Sequence, residues 1–399
     1  MQSVAHAICW FLVCLSTAFL GCSSESEATD KQDTAATASD STPADGGASE
    51  TTPETDAAPS VDAASEGSCK PRPVIAPEQA FFTDISDSSG IRLNNHYPGQ
   101  SQPINDHSRL GFADLNGDGL DDIVMHSLFP NPQSGIPFEH LVFLNKGDGT
   151  FEDFADESGL RDVQAGFFAF GDIDNDGDQD CFAGLDVPLA GQTHQVLLND
   201  GTGRFNKVAT SGLEGVAAFV ANAVFADFNG DANLDVFLGL GQTSAAAPDA
   251  LFFGNGDGTF QAASAAQFFD PNKRPTNGAV SCDYDNDGDM DIFVSTYSVS
   301  TLYGHNHLWE NQGGTFTNVA VERGFAAQPG GNSWLGLIDS VEPGKTPTSY
   351  VGSNGFGLAC ADISGDGLLD ILLATISHPV DADYNRKWSD PTQVLINRG

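Results

Sequence analysis

The stretch DIDNDGDQD (172–180) places aspartates at every second position of nine residues. Near-copies recur as DLNGDGLDD (114–122), DFNGDANLD (227–235), DYDNDGDMD (283–291) and DISGDGLLD (362–370). Their first aspartates lie 58, 55, 56 and 79 residues apart. A nearly fixed period of this length constrains the fold more than any local feature does. Each unit must be one supersecondary element that buries its apolar face against its neighbours.

Each unit has the same parts. An apolar segment enters the acidic loop (LGFAD, FAFGD, AVFAD, AVSCD, GLACAD), and a second leaves it (DIVMH, DCFAG, DVFLG, DIFVS, DILLA). A variable stretch follows. Then comes a third apolar segment ending in a glycine turn, as in HLVFLNKGDGTF, HQVLLNDGTGRF, ALFFGNGDGTF and HLWENQGGTF. The Gly and Asp of that turn supply the positive φ that tight hairpins need. A fourth segment begins at the phenylalanine: FEDFADESGL (151–160), FNKVATSGL (205–213), FTNVAVERGF (316–325). Four antiparallel strands per unit, repeated radially, predict an all-β fold, a β-propeller of four-stranded blades. Five repeats are evident, and the long fourth interval leaves room for six or seven blades. The fifth unit stops at TQVLINRG (392–399), whereas FFTDISDSSGI (81–91) matches FEDFADESGL. The N-terminal strand is therefore expected to complete the last blade and close the ring, which removes unpaired edges.

The entry strand, the D-x-[DNS]-x-D-G-x-x-D loop and the NxGDGTF turn resemble the FG-GAP/VCBS repeat family over about residues 80–399, a family that includes integrin-α propeller heads and many bacterial surface proteins. The resemblance implies one calcium ion per loop, held by side chains at positions 1, 3, 5 and 9 and a carbonyl at position 7. Carried over, the ligands are Asp114, Asn116, Asp118, Leu120 (carbonyl) and Asp122 in the first loop. The second has Asp172, Asp174, Asp176, Asp178 (carbonyl) and Asp180, and the third Asp227, Asn229, Asp231, Asn233 (carbonyl) and Asp235. The fourth has Asp283, Asp285, Asp287, Asp289 (carbonyl) and Asp291, and the fifth Asp362, Ser364, Asp366, Leu368 (carbonyl) and Asp370. Alternating oxygens suit calcium, which takes six to eight at roughly 2.3–2.6 Å, better than magnesium, which keeps more water. An EF-hand is excluded, because its bidentate Glu at position 12 is replaced by Met125, Ala183, Leu238, Val294 and Leu373. The all-aspartate second and fourth loops are expected to bind tightest. The third carries Ala232 at position 6, where Gly turns more freely, and the fifth has a neutral Ser364 at position 3.

Charge and the N-terminus bear on where such a protein works. The formal net charge is −39, with 20 acidic residues in the five loops and another 11 in residues 23–68. This argues against nucleic acid and anionic membrane surfaces as direct partners. Residues 7–20, AICWFLVCLSTAFL, have a signal peptide's length and are short for a membrane span. FLGC (19–22) resembles the lipobox of bacterial lipoproteins, which implies a signal over 1–21 and a lipidated Cys22. Residues 22–76 read as a disordered acidic Ser/Thr/Ala linker, and 77–399 as the propeller. The expected location is the outer membrane or cell surface, with secretion as the alternative and a lipid anchor as the only membrane contact. Cys69, Cys181, Cys282 and Cys360 remain in the mature chain and allow three pairings.

No GxSxG, HExxH or P-loop is present. His305 and His307 are close in sequence, but His140, His194 and Asn306 share the position five before the turn residue, which marks a repeated structural site. Aromatic and basic side chains on the second-to-third connections (Phe129, Tyr303, Tyr384, Arg386, Lys387, Trp388), with Trp334 in the 326–356 insert, are candidate contacts. The expected function is binding or adhesion to an extracellular protein or polysaccharide. A calcium-dependent propeller enzyme acting on extracellular polysaccharide is the alternative, disfavoured by the scarcity of basic residues that such a cleft would need.

Overall fold

A computed structural model describes residues 82–91, 110–126, 139–186, 188–216, 219–241, 247–270, 276–296, 306–326, 355–375 and 392–399. Ile85–Gly399 belongs to one compact unit. Of the preceding unit, Ser16–Asp84, only residues 82–84 are described, and they are coil.

Among the described residues the chain is all-β but for one helical turn, with five antiparallel sheets in chain order. The first is β1 (Leu110–Ala113), β2 (Asp122–His126), β3 (His140–Asn145) and β4 (Phe151–Asp153). The second is β5 (Phe167–Gly171), β6 (Asp180–Gly184), β7 (Gln195–Asn199) and β8 (Phe205–Lys207). The third is β9 (Val220–Ala226), β10 (Asp235–Leu240), β11 (Ala250–Gly254) and β12 (Phe260–Ala262). The fourth is β13 (Thr276–Cys282), β14 (Asp291–Thr296), β15 (His307–Asn311) and β16 (Phe316–Asn318). The fifth has three strands, β17 (Gly355–Ala361), β18 (Asp370–Thr375) and β19 (Gln393–Leu395). Every strand pairs with its sequence neighbour, so the acidic loops and the glycine turns share one end of each sheet. The fourth strands are shorter than the sequence suggests. After β4 the chain forms the turn α1 (Ala155–Ser158), ended by Gly159 at φ 76°.

The second strands β6, β10 and β14 are buried along their whole length. Their uninterrupted apolar runs reflect cover on both faces. That cover is the neighbouring sheet. Leu115 and Val142 of the first sheet pack on Cys181 and Leu197 of the second, with Phe168 and Phe170 beside them. Ile173 and Val196 meet Val236 and Leu238. Phe228 and Leu251 meet Ile292 and Val294, and Leu308 meets Ile371. Each seam thus joins loop position 2 and the middle of the third strand of one sheet to the strands of the next.

The two ends of the series differ. Val142, Val196, Leu251 and Leu308 are 0–3% exposed, but their fifth-sheet counterpart Val394 is 54% exposed. Ile363 is 50% exposed, whereas Leu115, Ile173 and Phe228 at the same loop position are at most 1%. On the first sheet Leu110 and Phe112 are 44% and 52% exposed, although their second-sheet counterparts Phe168 and Phe170 pack on the sheet before.

The expected N-terminal strand is not a strand. Residues 82–85 are coil, the turn continues to Gly90, and β19 pairs only with β18 among the described residues. The segment does occupy a repeated place. The Phe151 N–H donates to the Ser89 carbonyl (2.8 Å), as the Phe260 N–H does to Ser211 (2.8 Å) and the Phe316 N–H to Gln267 (2.7 Å). In those two cases the acceptor follows the fourth strand of the preceding sheet. A disulfide joins Cys282 and Cys360, with Cα atoms 6.6 Å apart, across the seam between β13 and β17. Cys181 is buried and unbridged, and Cys69 lies outside the described residues.

Candidate metal-binding loops

All five loops fold alike, and the sequence pattern explains why. Positions 4 and 6 both take positive φ: Gly117 and Gly119, Asn175 and Gly177, Gly230 and Ala232, Asn286 and Gly288, Gly365 and Gly367. Only Gly, or Asn at lower cost, adopts that conformation readily. Ala232 is held at φ 69°, as its place in the pattern requires. Position 4 is a requirement that attention to position 6 alone overlooks.

Position 5 accepts the N–H of position 7 in every loop. These bonds are Leu120 to Asp118 (2.9 Å), Asp178 to Asp176 (3.2 Å), Asn233 to Asp231 (2.9 Å), Asp289 to Asp287 (2.9 Å) and Leu368 to Asp366 (3.0 Å). The side chain at position 7 lies against the glycine turn of its own sheet. Leu120 is placed against Gly147, Asp178 against Gly201 and Asn233 against Gly256, and Asp289 accepts the Gly313 N–H (2.7 Å). In the second loop the Asp178 side chain also meets that of Asp176.

Position 9 has a framework role that spacing does not disclose. Asp122, Asp180, Asp235, Asp291 and Asp370 have no accessible surface. Each Oδ2 accepts the N–H of position 2: Leu115 (2.9 Å), Ile173 (2.9 Å), Phe228 (2.8 Å), Tyr284 (3.2 Å) and Ile363 (2.9 Å). Each Oδ1 accepts the N–H of the turn residue ending the third strand: Asn145 (2.7 Å), Asn199, Gly254, Asn311 and Asn397 (2.8 Å each). One carboxylate thus ties its loop to the second hairpin. In the first four loops each oxygen keeps a second lone pair for a further partner, whereas Asp370 Oδ2 also accepts the Ser364 N–H (2.9 Å).

Burial sets the protonation of these groups. It pushes Asp180 and Asp235 up to about 6 and Asp291 to about 7, against the backbone donors that lower them. Asp122 is raised for the same reason. In the second loop Asp178 rises to about 6 through burial and its contact with Asp176. Asp370 goes the other way, lowered first by the Asn397 N–H. It has no surface of its own, but it accepts a further N–H, from Ser364 (2.9 Å), that the other position-9 carboxylates lack.

The donor set fits a hard cation. The ligand oxygens of Asp172, Asp174 and Asp176 lie within 4.8 Å of one another, as do those of Asp283, Asp285 and Asp287. In four loops the position-1 carboxylate turns onto the loop's own N–H groups, as Asp114 does to Asp118 and Gly119. In the second loop Asp172 Oδ1 is buried with no hydrogen-bond partner. An ionised oxygen in that state is costly unless a cation meets it.

The opposite end of the sheets carries the repeated position five before the turn residue. The Leu185 N–H donates to His194 Nδ1 (3.0 Å), the Leu240 N–H to Asp249 Oδ1 (2.8 Å) and the Thr296 N–H to Asn306 Oδ1 (3.1 Å). These side chains cap the second strand. Phe129, Tyr303, Trp334, Tyr384, Arg386, Lys387 and Trp388 lie outside the described residues, as does Cys22.

The FG-GAP-like repeat matches residues 114–183 and 240–294, which contain the first, second and fourth loops. FG-GAP-like repeats are therefore present in two stretches of the chain. Cartilage acidic protein 1 of Xenopus tropicalis is 30% identical over 166 residues, 39% of this chain and 25% of the relative. The chain thus spans about a quarter of that protein's length. Among solved structures, the V. cholerae biofilm matrix protein Bap1 is similar over 69% of this chain and 36% of its own, at 14% identity and a TM-score of 0.35. That likeness is too weak to bear on the fold. Among the described residues no helix is long and apolar enough to cross a membrane.

Proposed function

We propose that this protein is an exported, calcium-stabilised repeat scaffold that binds an extracellular protein or polysaccharide and does no catalysis. The observation that carries the calcium reading is the second loop, where three carboxylates converge and Asp172 Oδ1 is buried without a partner. The twenty-five residues named from sequence are the proposed ligand set, with position 9 serving as ligand and brace together. Calcium neutralises the aspartates and pins one hairpin per sheet. The second-to-third connections, such as 241–249 and 297–306, leave from the other end and can vary without disturbing the loops. Recognition is assigned to that end, since binding residues favour loops on a rigid scaffold. Export is supported by the disulfide, which persists in oxidising compartments, and by a relative whose name places it in cartilage. Anchoring is assigned to a lipid on Cys22.

We also propose that the sheets are propeller blades and that the ring closes between the fifth and first sheets. The exposed apolar residues at the two ends are the two halves of the seam that recurs between the others. Residues 85–90 sit before the first sheet as a blade's tail sits before the next. Glycan-array binding, with product analysis of any hit, tests the functional reading. A bound glycan left intact supports it, and product release would turn it to the enzyme.

A further inference from the structure

Three turn asparagines each connect the acidic loop of their own sheet to the loop before it. Asn199 Nδ2 donates to the Leu115 carbonyl of the first loop (2.8 Å) and to the Gln179 carbonyl of its own loop (3.1 Å). Asn311 Nδ2 donates to the Phe228 carbonyl of the third loop (2.8 Å) and to Met290 (3.1 Å). Asn397 Nδ2 donates to the Tyr284 carbonyl of the fourth loop (2.6 Å) and to Leu369 (3.3 Å). The partners fall at fixed loop positions. The carbonyl across the seam is position 2, between the first two proposed ligands. The carbonyl in the same sheet is position 8, between the last two. The N–H of the same asparagine holds the position-9 aspartate. Each carboxamide oxygen is also engaged, by Gly203 (3.0 Å), Gly314 (2.9 Å) and Gly399 (3.1 Å). A planar amide with every polar atom engaged has no slack. A shift in the ligand spacing of one loop must move the end of the next.

The series is interrupted once. The third sheet has Gly254 at the turn position, with no carboxamide to reach the second loop. No larger residue fits there, because a Cβ on Gly254 would run into the Leu234 carbonyl. The second and third loops are bridged instead by Asn175 Nδ2 on Asn233 Oδ1 (2.8 Å), an exposed bond between two side chains. Water competes for such a bond, and Asn233 contributes only its carbonyl to the proposed site.

We propose that cation binding is coupled between neighbouring loops through Asn199, Asn311 and Asn397, in two groups: the first and second loops, and the third, fourth and fifth. The three asparagines are positioning residues. The proposal rests on the calcium reading above. Its test is a calcium titration of the full chain by calorimetry, with one loop disabled at a time. Asp287→Ala should weaken calcium at the third loop on the order of fivefold. Asp176→Ala should leave the third loop unchanged. Adding Asn311→Ala to Asp287→Ala should abolish the effect on the third loop while the calcium-free melting curve still reports a folded chain. If Asn311→Ala does not fold, the pair Asp118→Ala and Asn199→Ala asks the same question of the first two loops. A wild type that binds no calcium overturns the calcium reading and the coupling together. Calcium binding with independent loops, or with coupling across Gly254 equal to that across Asn311, overturns the coupling alone.

Discussion

At the residue scale, the loops combine strain with satisfied buried charge, and both make predictions. Ala232 sits at φ 69°, where an L side chain costs roughly 1–2 kcal/mol. Ala232→Gly should therefore stabilise the protein by about 0.5–1 kcal/mol after the added freedom of the unfolded chain is offset. Thermal melting checks this, and a loss of stability would contradict it. Asp176→Ala and Asp287→Ala remove a central carboxylate from the two loops in which three converge. Each should reduce calcium's effect on melting more than Asp231→Ala does, and the reverse order would refute the ranking. Asp180→Asn is different in kind. It turns an amide group toward a backbone N–H, leaving a buried donor unmet at a cost of about 1–3 kcal/mol. That loss should persist in chelator, whereas a ligand-only role would confine it to calcium.

At the element scale, each hairpin pair is closed by a buried carboxyl whose titration gives the sheets a pH response. Burial raises Asp180 and Asp235 to about 6 and Asp291 to about 7, above the ordinary 3.8. A carboxyl raised in the folded state contributes its stability in full below its unfolded value and loses it as the pH climbs through the folded value. Metal-free protein should therefore melt lower at about pH 7.5 than at about pH 5. Calcium favours the ionised form, so its stabilising effect should grow across the same window. Melting curves at several pH values, metal-free and with calcium, decide it. A metal-free Tm that rises with pH would overturn the assignment.

The elements were legible in sequence because their signals are local. The period between aspartates, the apolar runs beside them and the glycine turns located the strands of all five sheets. The lengths of the fourth strands were not, because Phe154 and Ala155 continue an apolar pattern while the backbone already turns into α1. The roles of Asn199, Asn311 and Asn397 were hidden for another reason. Each sits in a motif that reads as turn chemistry, but its partner carbonyl is 84, 83 or 113 residues away. Spacing could not select the bond between Cys282 and Cys360, separated by 78 residues, and all three pairings of the four cysteines would also have bridged Cys181, which is unbridged.

At the scale of the whole molecule, the proposed closure is testable at residues that are exposed here. Val394 and Phe112 are half exposed, and a charge placed on an open surface typically changes stability by about 0.5 kcal/mol or less. In a closed ring both side chains enter a seam, where an unpaired charge costs at least about 2 kcal/mol. Val394→Asp and Phe112→Asp should therefore each destabilise strongly, as Val196→Asp should in a seam already formed. Two variants that melt like the wild type would show that the fifth and first sheets do not meet. Asn145 offers a finer marker. Its Nδ2 holds the Asp121 carbonyl (3.1 Å), and in a closed ring its second proton would reach the Ile363 carbonyl, as Asn199 reaches Leu115.

The bond between Cys282 and Cys360 makes the covalent graph of the chain differ from its linear order. Every residue from 283 to 359 lies within a loop closed by sulfur. A protease that cuts once anywhere in that stretch converts one chain into two without releasing either. The nicked protein would keep its mass and separate into two fragments only on reduction. A cut in that stretch therefore leaves the fifth sheet covalently joined to the rest of the chain through Cys282.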